Sequence, residues 1–520
     1  MPKPAPTAHL LSRRIALKTL ASTCAGGFAI ASLPAWCQTS GIASKTNFQD
    51  IWRALSRVGY GPTPDLIFAA RSGNGPRAWA LGQIDAAYAA SQLAPKIAPD
   101  LADFNAALPS LVEGSRQERE ARKQRKANPA QDGDSPQLRR MDFSGASDPI
   151  HFSRKVVQQA SAWRLLSASQ PAMENPLLAR MAEFWFNHLN VYVGKGSVRP
   201  FVGHYWVNVA RKHALGRFED LLLASARHPA MLAYLDQAQS VADGFKGAQG
   251  KTRGLNENYA RELMELHTLG VNGGYTQSDV HELARVLTGW TIGPREETGF
   301  RFVARLHDAG NKEVLGQRFP RHKGAAGEQE GVDAIRMLAR HPSTAKRVCL
   351  RLAQYFVSDE PSAALLERLR STFLSTQGDL RIVMQTLFDS SDFWSSDQKL
   401  FKTPWDYAAS VLTVTYATSA DSEETPNRRT LVQATAFLAS AGQPIFGWQT
   451  PDGYKFDSAT WLVPEALTRR ADFALAVARN TPKPDFLNEF LGTATRDAVN
   501  REPTGMQAGL MLASPEFMAK

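Results

Sequence analysis

Between Glu257 and His267 the chain places three carboxylates, one guanidinium and one imidazole in the run Glu-Asn-Tyr-Ala-Arg-Glu-Leu-Met-Glu-Leu-His. At ~100° per residue, Glu257, Arg261 and Glu265 stack along one line of a helix, with Asn258 and Glu262 beside them. Tyr259, Leu263, Leu266 and His267 take the other side. A carboxylate line of this kind, facing a cleft, can supply an acid and a base or ligate a divalent cation, with Arg261 lowering the pKa of its neighbours. The same residues also read as an i, i+4 ion-pair ladder on a wet surface, stabilising by ~0.3–0.5 kcal/mol per pair. Neither the Glu-x-x-His pair of di-iron bundles nor a His-Glu-x-x-His zinc helix is present here.

The flanking residues say how this line is held. Asn256 suits the cap at the helix start, and Gly270 supplies a left-handed stop. Thr276-x-x-Asp279 resembles a capping box opening a second helix, with Val280, Leu283, Ala284 and Leu287 as its buried stripe and Gly289 closing it before Trp290. The short Gly273-Gly274-Tyr275 connection makes the two helices neighbours and brings Glu282 and Arg285 within reach of the first line. His281 lies on that same polar side. Two further places carry chemistry-bearing groups. Phe184-Trp185-Phe186-Asn187-His188 ends an aromatic helix on an amide and an imidazole, as a ligand pair or as a core cap. His307-Asp308-x-Gly310-x-Lys312, followed by Leu315-Gly316, reads as a turn entering a strand, or as an anion or metal contact.

The frame around these residues is mainly helical. The 520 residues are 43% hydrophobic and 21% charged, which excludes wholesale disorder and a multi-span membrane protein. Three cysteines exclude a disulfide framework or a Cys-rich metal cluster. Apolar residues recur at three and four over 77–90, 152–169, 176–189, 207–213, 335–356, 379–387 and 464–478, so these are expected helices. Strand-like alternation is confined to Phe300–Val303 and Val314-Leu315, the best candidates for one small hairpin. The fold class expected is a multi-helix globular body with at most a small β-hairpin, a single large domain over 38–520. Residues 118–140 are basic and polar and then rich in Asn, Pro, Asp and Gly; they read as an anion-binding patch or, as expected here, as a solvated helix end running into a disordered insertion. Residues 237–253 and 417–429 are expected loops, the former leading straight into the carboxylate helix.

Residues 1–37 hold four basic and no acidic residues, then a mildly apolar Ala- and Gly-rich run ending at Leu33-Pro34-Ala35. Ser12-Arg13-Arg14-Ile15-Ala16-Leu17-Lys18 looks like a twin-arginine export motif, so we expect a removable leader, use of the twin-arginine export machinery, and a periplasmic or secreted product. Of 60 basic and 50 acidic residues, removing the leader leaves 56 against 50, a net charge of +6. That is too mild over this length to argue for nucleic-acid binding. No other apolar run reaches membrane-spanning length, so no membrane span is expected in the mature chain.

These motifs together resemble a bacterial family. The residues that carry the resemblance are Phe-Trp-x-Asn-His at 184–188, Met231-Leu232-x-Tyr234-Leu235-Asp236 and Asn256–Leu266. Ala284–Trp290, the His307–Gly316 motif, His341-Pro342-x-Thr344-Ala345 and Gly378-Asp379-Leu380-Arg381 extend it. The family is domain of unknown function 1800, and the similarity covers roughly residues 50–515. The resemblance implies export and, by gene neighbourhood, a partner in the sulfatase-like family domain of unknown function 1501. It carries over to the site residues named above, but not to His267 or His281.

Combined with the residue chemistry, the expectation is a hydrolase or lyase acting on an extracellular polymer. Glu257, Glu262, Glu265 and Glu282 would be its acid/base groups or cation ligands, with Arg261 and Arg285 setting their charge. His188, His307 and Asp308 are the candidate ligands for a divalent metal ion. Asn187, Asp236, Asn256, Trp290 and Lys312 are the candidate substrate contacts. A non-catalytic scaffold for the sulfatase-like protein and a cofactor-carrying redox protein stand as alternatives. No serine elbow, phosphate loop, haem-attachment motif or dinucleotide fingerprint is found at a plausible place.

Overall fold

Helices account for most of the chain because long stretches are apolar on every side or on one broad stripe. The computed structural model describes residues 48–127, 149–246, 254–322, 324–397, 400–418, 428–479 and 481–520. The expected leader, its two cysteines and most of the basic insertion lie outside them. Thr46–Lys520 forms one compact unit, mainly α, with two small antiparallel strand pairs among the described residues.

The helices Phe152–Ser169, Pro176–His188 and Pro404–Thr418 are buried almost all round and make the centre of the core. Pro176 opens its helix at the first position, where its missing N–H is harmless, and Asn175 Oδ1 accepts from the amides of Leu177 and Leu178 at 3.0 and 3.1 Å. The single run expected over 335–356 is two helices, Ala326–Ala339 and Pro342–Phe356. Pro342 forces the break, since the residue before a proline is driven out of the helical region. The stretch expected at 207–213 is wound as a π-turn, Trp206–Arg211.

Two strand pairs replace the one expected hairpin. Trp290–Ile292 pairs with Phe300–Phe302, and Lys312–Val314 pairs with Gln317–Phe319. The strand candidates at 300 and 314 therefore belong to different hairpins, each closed by its own local turn. Residues 118–127 are the end of the helix Leu108–Ala127. Glu118 anchors it, accepting from the Ser153 amide at 3.1 Å and pairing with Arg122, an i, i+4 contact that composition alone hides. Residues 128–148 lie outside the described residues.

A buried charge network ties the core helices together. Arg180 Nη1 donates to Asp406 Oδ1 at 2.7 Å with both side chains essentially sealed, and Lys520 Nζ donates to the other oxygen. Burial pushes the Asp406 carboxyl up, but the charges of Arg180 and Lys520 outweigh it and hold it well below the usual range.

Candidate functional site

The carboxylate helix starts as expected and then changes pitch. Asn256 Oδ1 accepts from the Asn258 amide at 2.9 Å, Asn258–Glu262 is α-helical, and Leu263–His267 is a π-turn. The Thr268 hydroxyl donates to the Leu263 carbonyl at 2.6 Å, and Gly270, at φ +87°, donates back to the Met264 carbonyl at 3.1 Å. Such π-turns insert one extra residue per turn and are frequent at functional sites.

The ladder along this helix is present. Arg261 lies 3.4 Å from Glu257 and 3.6 Å from Glu265. The next helix, Gln277–Leu287, opens with both arms of the Thr276–Asp279 capping box. It meets the ladder through Gln277 and His281 rather than through Glu282 and Arg285. Gln277 donates to Glu257 at 2.7 Å and accepts from Arg261 at 2.8 Å, and His281 Nδ1 is 3.0 Å from Glu257. The His281 contact is the main reason the Glu257 carboxyl is held below its ordinary range. One helical turn on, along the same face, Arg285 meets a different set of partners. It donates to both oxygens of Glu282 at 2.7–2.8 Å and to Asp308 at 2.8 Å. Burial pushes Asp308 up, but Arg285 and the Gly310 amide outweigh it and hold it low. Glu257 and Glu282 are thus charge-paired groups in two separate networks.

Glu262 differs from both. Among the described residues no hydrogen bond or ion pair reaches its half-buried carboxylate, and its pKa is raised, first by burial and then by the charge of Glu265, with Arg261 opposing and Asp452 adding a smaller push. Tyr234 and Tyr275 complete the surroundings. The Tyr234 hydroxyl donates to the Gln449 carbonyl at 2.6 Å, and the Tyr275 phenol, beside Glu265, is pushed up to about 12, mainly by burial and then by that carboxylate.

Asp452 reaches this place on a loop that sequence reading did not single out. Asn187 clamps the loop with both arms of its amide, accepting from the Tyr454 amide at 2.7 Å and donating to its carbonyl at 2.8 Å. Asn190 donates to the carbonyls of Trp448 and Thr450 at 3.1 and 2.8 Å. Gly453 sits at φ +72° against this clamp, where an added Cβ would lie 2.0 Å from the Asn187 carbonyl oxygen. Asn187, nominated for substrate contact, is occupied in holding the loop. Asp452 itself accepts from Trp448 Nε1 at 2.8 Å and from the Thr450 hydroxyl at 2.5 Å.

The nominated metal ligands do not converge. His188 is fully buried, its ring packed on Phe184, Trp185 and Phe218, with Nε2 3.0 Å from the His267 carbonyl. Asp308 points to Arg285. His307 instead meets Glu330, on the helix Ala326–Ala339, with Nε2 3.0 Å from Oε2. His322 Nε2 lies 3.1 Å from the same oxygen, and Lys312 Nζ donates to both oxygens at 2.9–3.0 Å. His307, His322 and Glu330 are the one set among the described residues whose ligand atoms lie within 4.8 Å of one another. The only signal for Glu330 was an acidic residue on the apolar face of its helix, and for His322 an imidazole just past a strand. Asp236, at φ +60°, pairs with Lys195 at 2.7 Å, and Trp290 is sealed in the core against Gly331.

A cleft of about 620 Å³ lies elsewhere, lined by Lys212, Arg217, Arg227 and Arg381 among others and by none of the nominated residues. No described helix is long and apolar enough to cross a membrane. No curated protein and no solved structure matches the chain. The family described as "Protein of unknown function (DUF1800)" matches residues 53–519, nearly the whole length, and the chain belongs to that family.

Proposed function

We propose that the protein works outside the cytoplasm as an acid–base enzyme, a hydrolase or lyase of an extracellular polymer, with Glu262 as its proton-carrying group. The observation that carries this reading is the state of that one carboxyl. It is half-buried, free of hydrogen-bond donors among the described residues, and raised in pKa by burial first and then by Glu265 and Asp452, against the lowering charge of Arg261. A carboxyl held protonated to higher pH is what a general acid requires, and perturbed groups of this kind cluster at active sites. Glu265, 3.6 Å from Arg261, is the charge-paired carboxylate that would take the base role. Arg261 would hold an anionic or hydroxyl-rich substrate against the pair. The twin-arginine pattern at Ser12–Lys18 supports the location.

The test is an assay of the purified protein against a panel of extracellular polysaccharides. Hydrolysis is read by new reducing ends and elimination by ultraviolet absorbance of unsaturated products. Activity should fall by about a hundredfold or more in Glu262→Gln, the scale on which an acid/base group contributes. Equal activity in that variant and the parent would remove Glu262 from the chemistry.

A second reading rests on a different observation: Glu257 and Glu282 are each matched to a guanidinium, as in a lattice that fixes helix register. On that reading the protein is a non-catalytic partner of an exported sulfatase-like protein. Co-purification of the two from the periplasm, undiminished in Glu262→Gln, would favour it.

A further inference from the structure

The cluster around Glu330 is assembled from three separate loops and one helix. His307 follows the turn Ala304–Leu306, Lys312 opens a strand, His322 lies beyond the paired strand, and Glu330 projects from the helix Ala326–Ala339. His307 and Glu330 are nearly sealed, while His322 keeps 17% of its side chain exposed. Glycine at 327 permits this approach, since a Cβ there would sit 2.6 Å from the His307 ring.

Both ring nitrogens of His307 are engaged. Its Nδ1 lies 2.8 Å from the Thr288 carbonyl oxygen, which can only accept, so Nδ1 carries the hydrogen. The Thr288 hydroxyl gives its own hydrogen to the Arg285 carbonyl at 2.6 Å and has none to offer the ring. With Nδ1 so engaged, Nε2 is the ring atom that faces the Glu330 carboxylate, at 3.0 Å. A contact of that length is closed by a positive centre, which is either a second ring proton or a bound cation. His322 adds its Nε2 at 3.1 Å from the same oxygen, and its Nδ1 is buried without a partner among the described residues.

We propose that His307 Nε2, His322 Nε2 and Glu330 Oε2 form a binding site for a transition-metal dication of the zinc class, one that fastens the two hairpins to the Ala326–Ala339 helix. The three ligand atoms lie within 4.8 Å of one another, and an opening of the 3.0–3.1 Å contacts by a few tenths of an ångström gives the ~3.3–3.6 Å spacing of tetrahedral ligands at bonds of about 2.0–2.2 Å. Two imidazoles with one carboxylate select zinc-class ions over calcium or magnesium, which take oxygen ligands. The Thr288 carbonyl is the outer partner that fixes the His307 tautomer, and Lys312 orients the carboxylate by holding both its oxygens. Lys312 is also a cation beside the ion, so it weakens binding. Near-complete burial of two of the three ligands makes the centre a structural clamp.

Untagged full-length protein is stripped with a chelator and titrated calorimetrically with zinc chloride, with magnesium chloride as the comparison. One equivalent of zinc should bind, with a rise in melting temperature that magnesium does not give. His322→Ala, at the exposed edge where the fold tolerates truncation, should lower zinc affinity by at least about tenfold. Lys312→Met should raise it. If the stripped protein binds no zinc, or if His322→Ala binds it with unchanged affinity and stoichiometry, the clamp does not exist. Cobalt substitution gives a readout that does not depend on the variants: a visible absorption spectrum of four-coordinate nitrogen and oxygen ligation should form, and its absence overturns the proposal.

Discussion

His188 Nε2 lies 3.0 Å from the main-chain oxygen of His267, and since a carbonyl only accepts, the imidazole donates and is fixed as the Nε2–H tautomer. This contact supports the π-turn from beneath, on the side away from the carboxylates. It also settles what the imidazole at the end of the aromatic helix is doing: Nδ1 is shut in among aromatic rings, without a partner among the described residues. The wet face of the carboxylate helix and the dry histidine behind it are two sides of one backbone turn.

That arrangement predicts a pH signature. Burial, reinforced by the charges of Arg351 and Arg347, holds His188 well below its ordinary value, and burial holds His267 at about 3. In both cases the unfolded chain binds the proton more readily, so stability is lost as pH falls below the unfolded value of about 6.5. His188→Leu removes one share of that slope. The variant should lose about 1–3 kcal/mol near neutrality, because the His267 carbonyl is left without its donor. Its further loss on acidification should be shallower than that of the parent. Urea midpoints across a pH series measure both, and parallel curves for the two proteins would refute the assignment.

Asp406 should behave in the opposite sense. Its carboxyl is held low by Arg180 and Lys520 despite burial, so its stabilising contribution is present above the unfolded carboxylate value of about 3.9 and is lost only as pH falls toward the lower folded value. Asp406→Asn leaves the sealed Arg180 without its counter-charge. We expect a loss of about 3–5 kcal/mol at neutral pH, narrowing only in strong acid. Chemical denaturation at neutral and acid pH reads this directly. A loss below about 1 kcal/mol would mean the pair is not buried as described.

Much of this frame was readable beforehand, and the failures have definite causes. The capping box at Thr276–Asp279, the stop at Gly270 and the helices 152–169 and 464–478 follow from local chemistry, which a sequence displays. The direction of Glu282 and Arg285 did not, because the roll of one helix on another is decided by which apolar face packs, here placing His281 on Glu257 and turning Arg285 to Asp308. The π-turn at Leu263–His267 has no one-dimensional marker. Asp452 lies 190 residues beyond Glu262 and reaches it only through the Asn187 clamp, and Glu330 meets His307 and His322 only after two hairpins close. Long-range closure of this kind is invisible to periodicity.

Gly453 offers a test of that clamp. At φ +72° any side chain is strained, and a Cβ would collide with the Asn187 carbonyl oxygen at 2.0 Å. Gly453→Ala should cost about 1–3 kcal/mol and displace the loop that carries Asp452. Moving that carboxylate away removes one of the charges that raises Glu262, so the Glu262 pKa should drop toward its ordinary value. Carboxyl-selective carbon NMR titration would follow it. An undisturbed titration in the variant would detach the loop from the site.

Glu262 itself carries the sharpest prediction, because function and stability should part company there. Its carboxyl is raised, first by burial and then by Glu265 and Asp452, so the folded state holds the proton more tightly than the unfolded chain does. Ionisation at neutral pH therefore works against the fold, by an amount that partial exposure and solvent screening keep to about 0.5 kcal/mol. Glu262→Gln removes the charge and retains the shape. The variant should be slightly more stable than the parent at neutral pH. The advantage should shrink as pH falls through the carboxyl range, since the parent then becomes neutral as well. A group kept for chemistry against the interest of stability behaves this way. A carboxylate that serves only a structural lattice does the reverse, so destabilisation by Glu262→Gln at neutral pH would place Glu262 in the lattice and remove the acid–base reading.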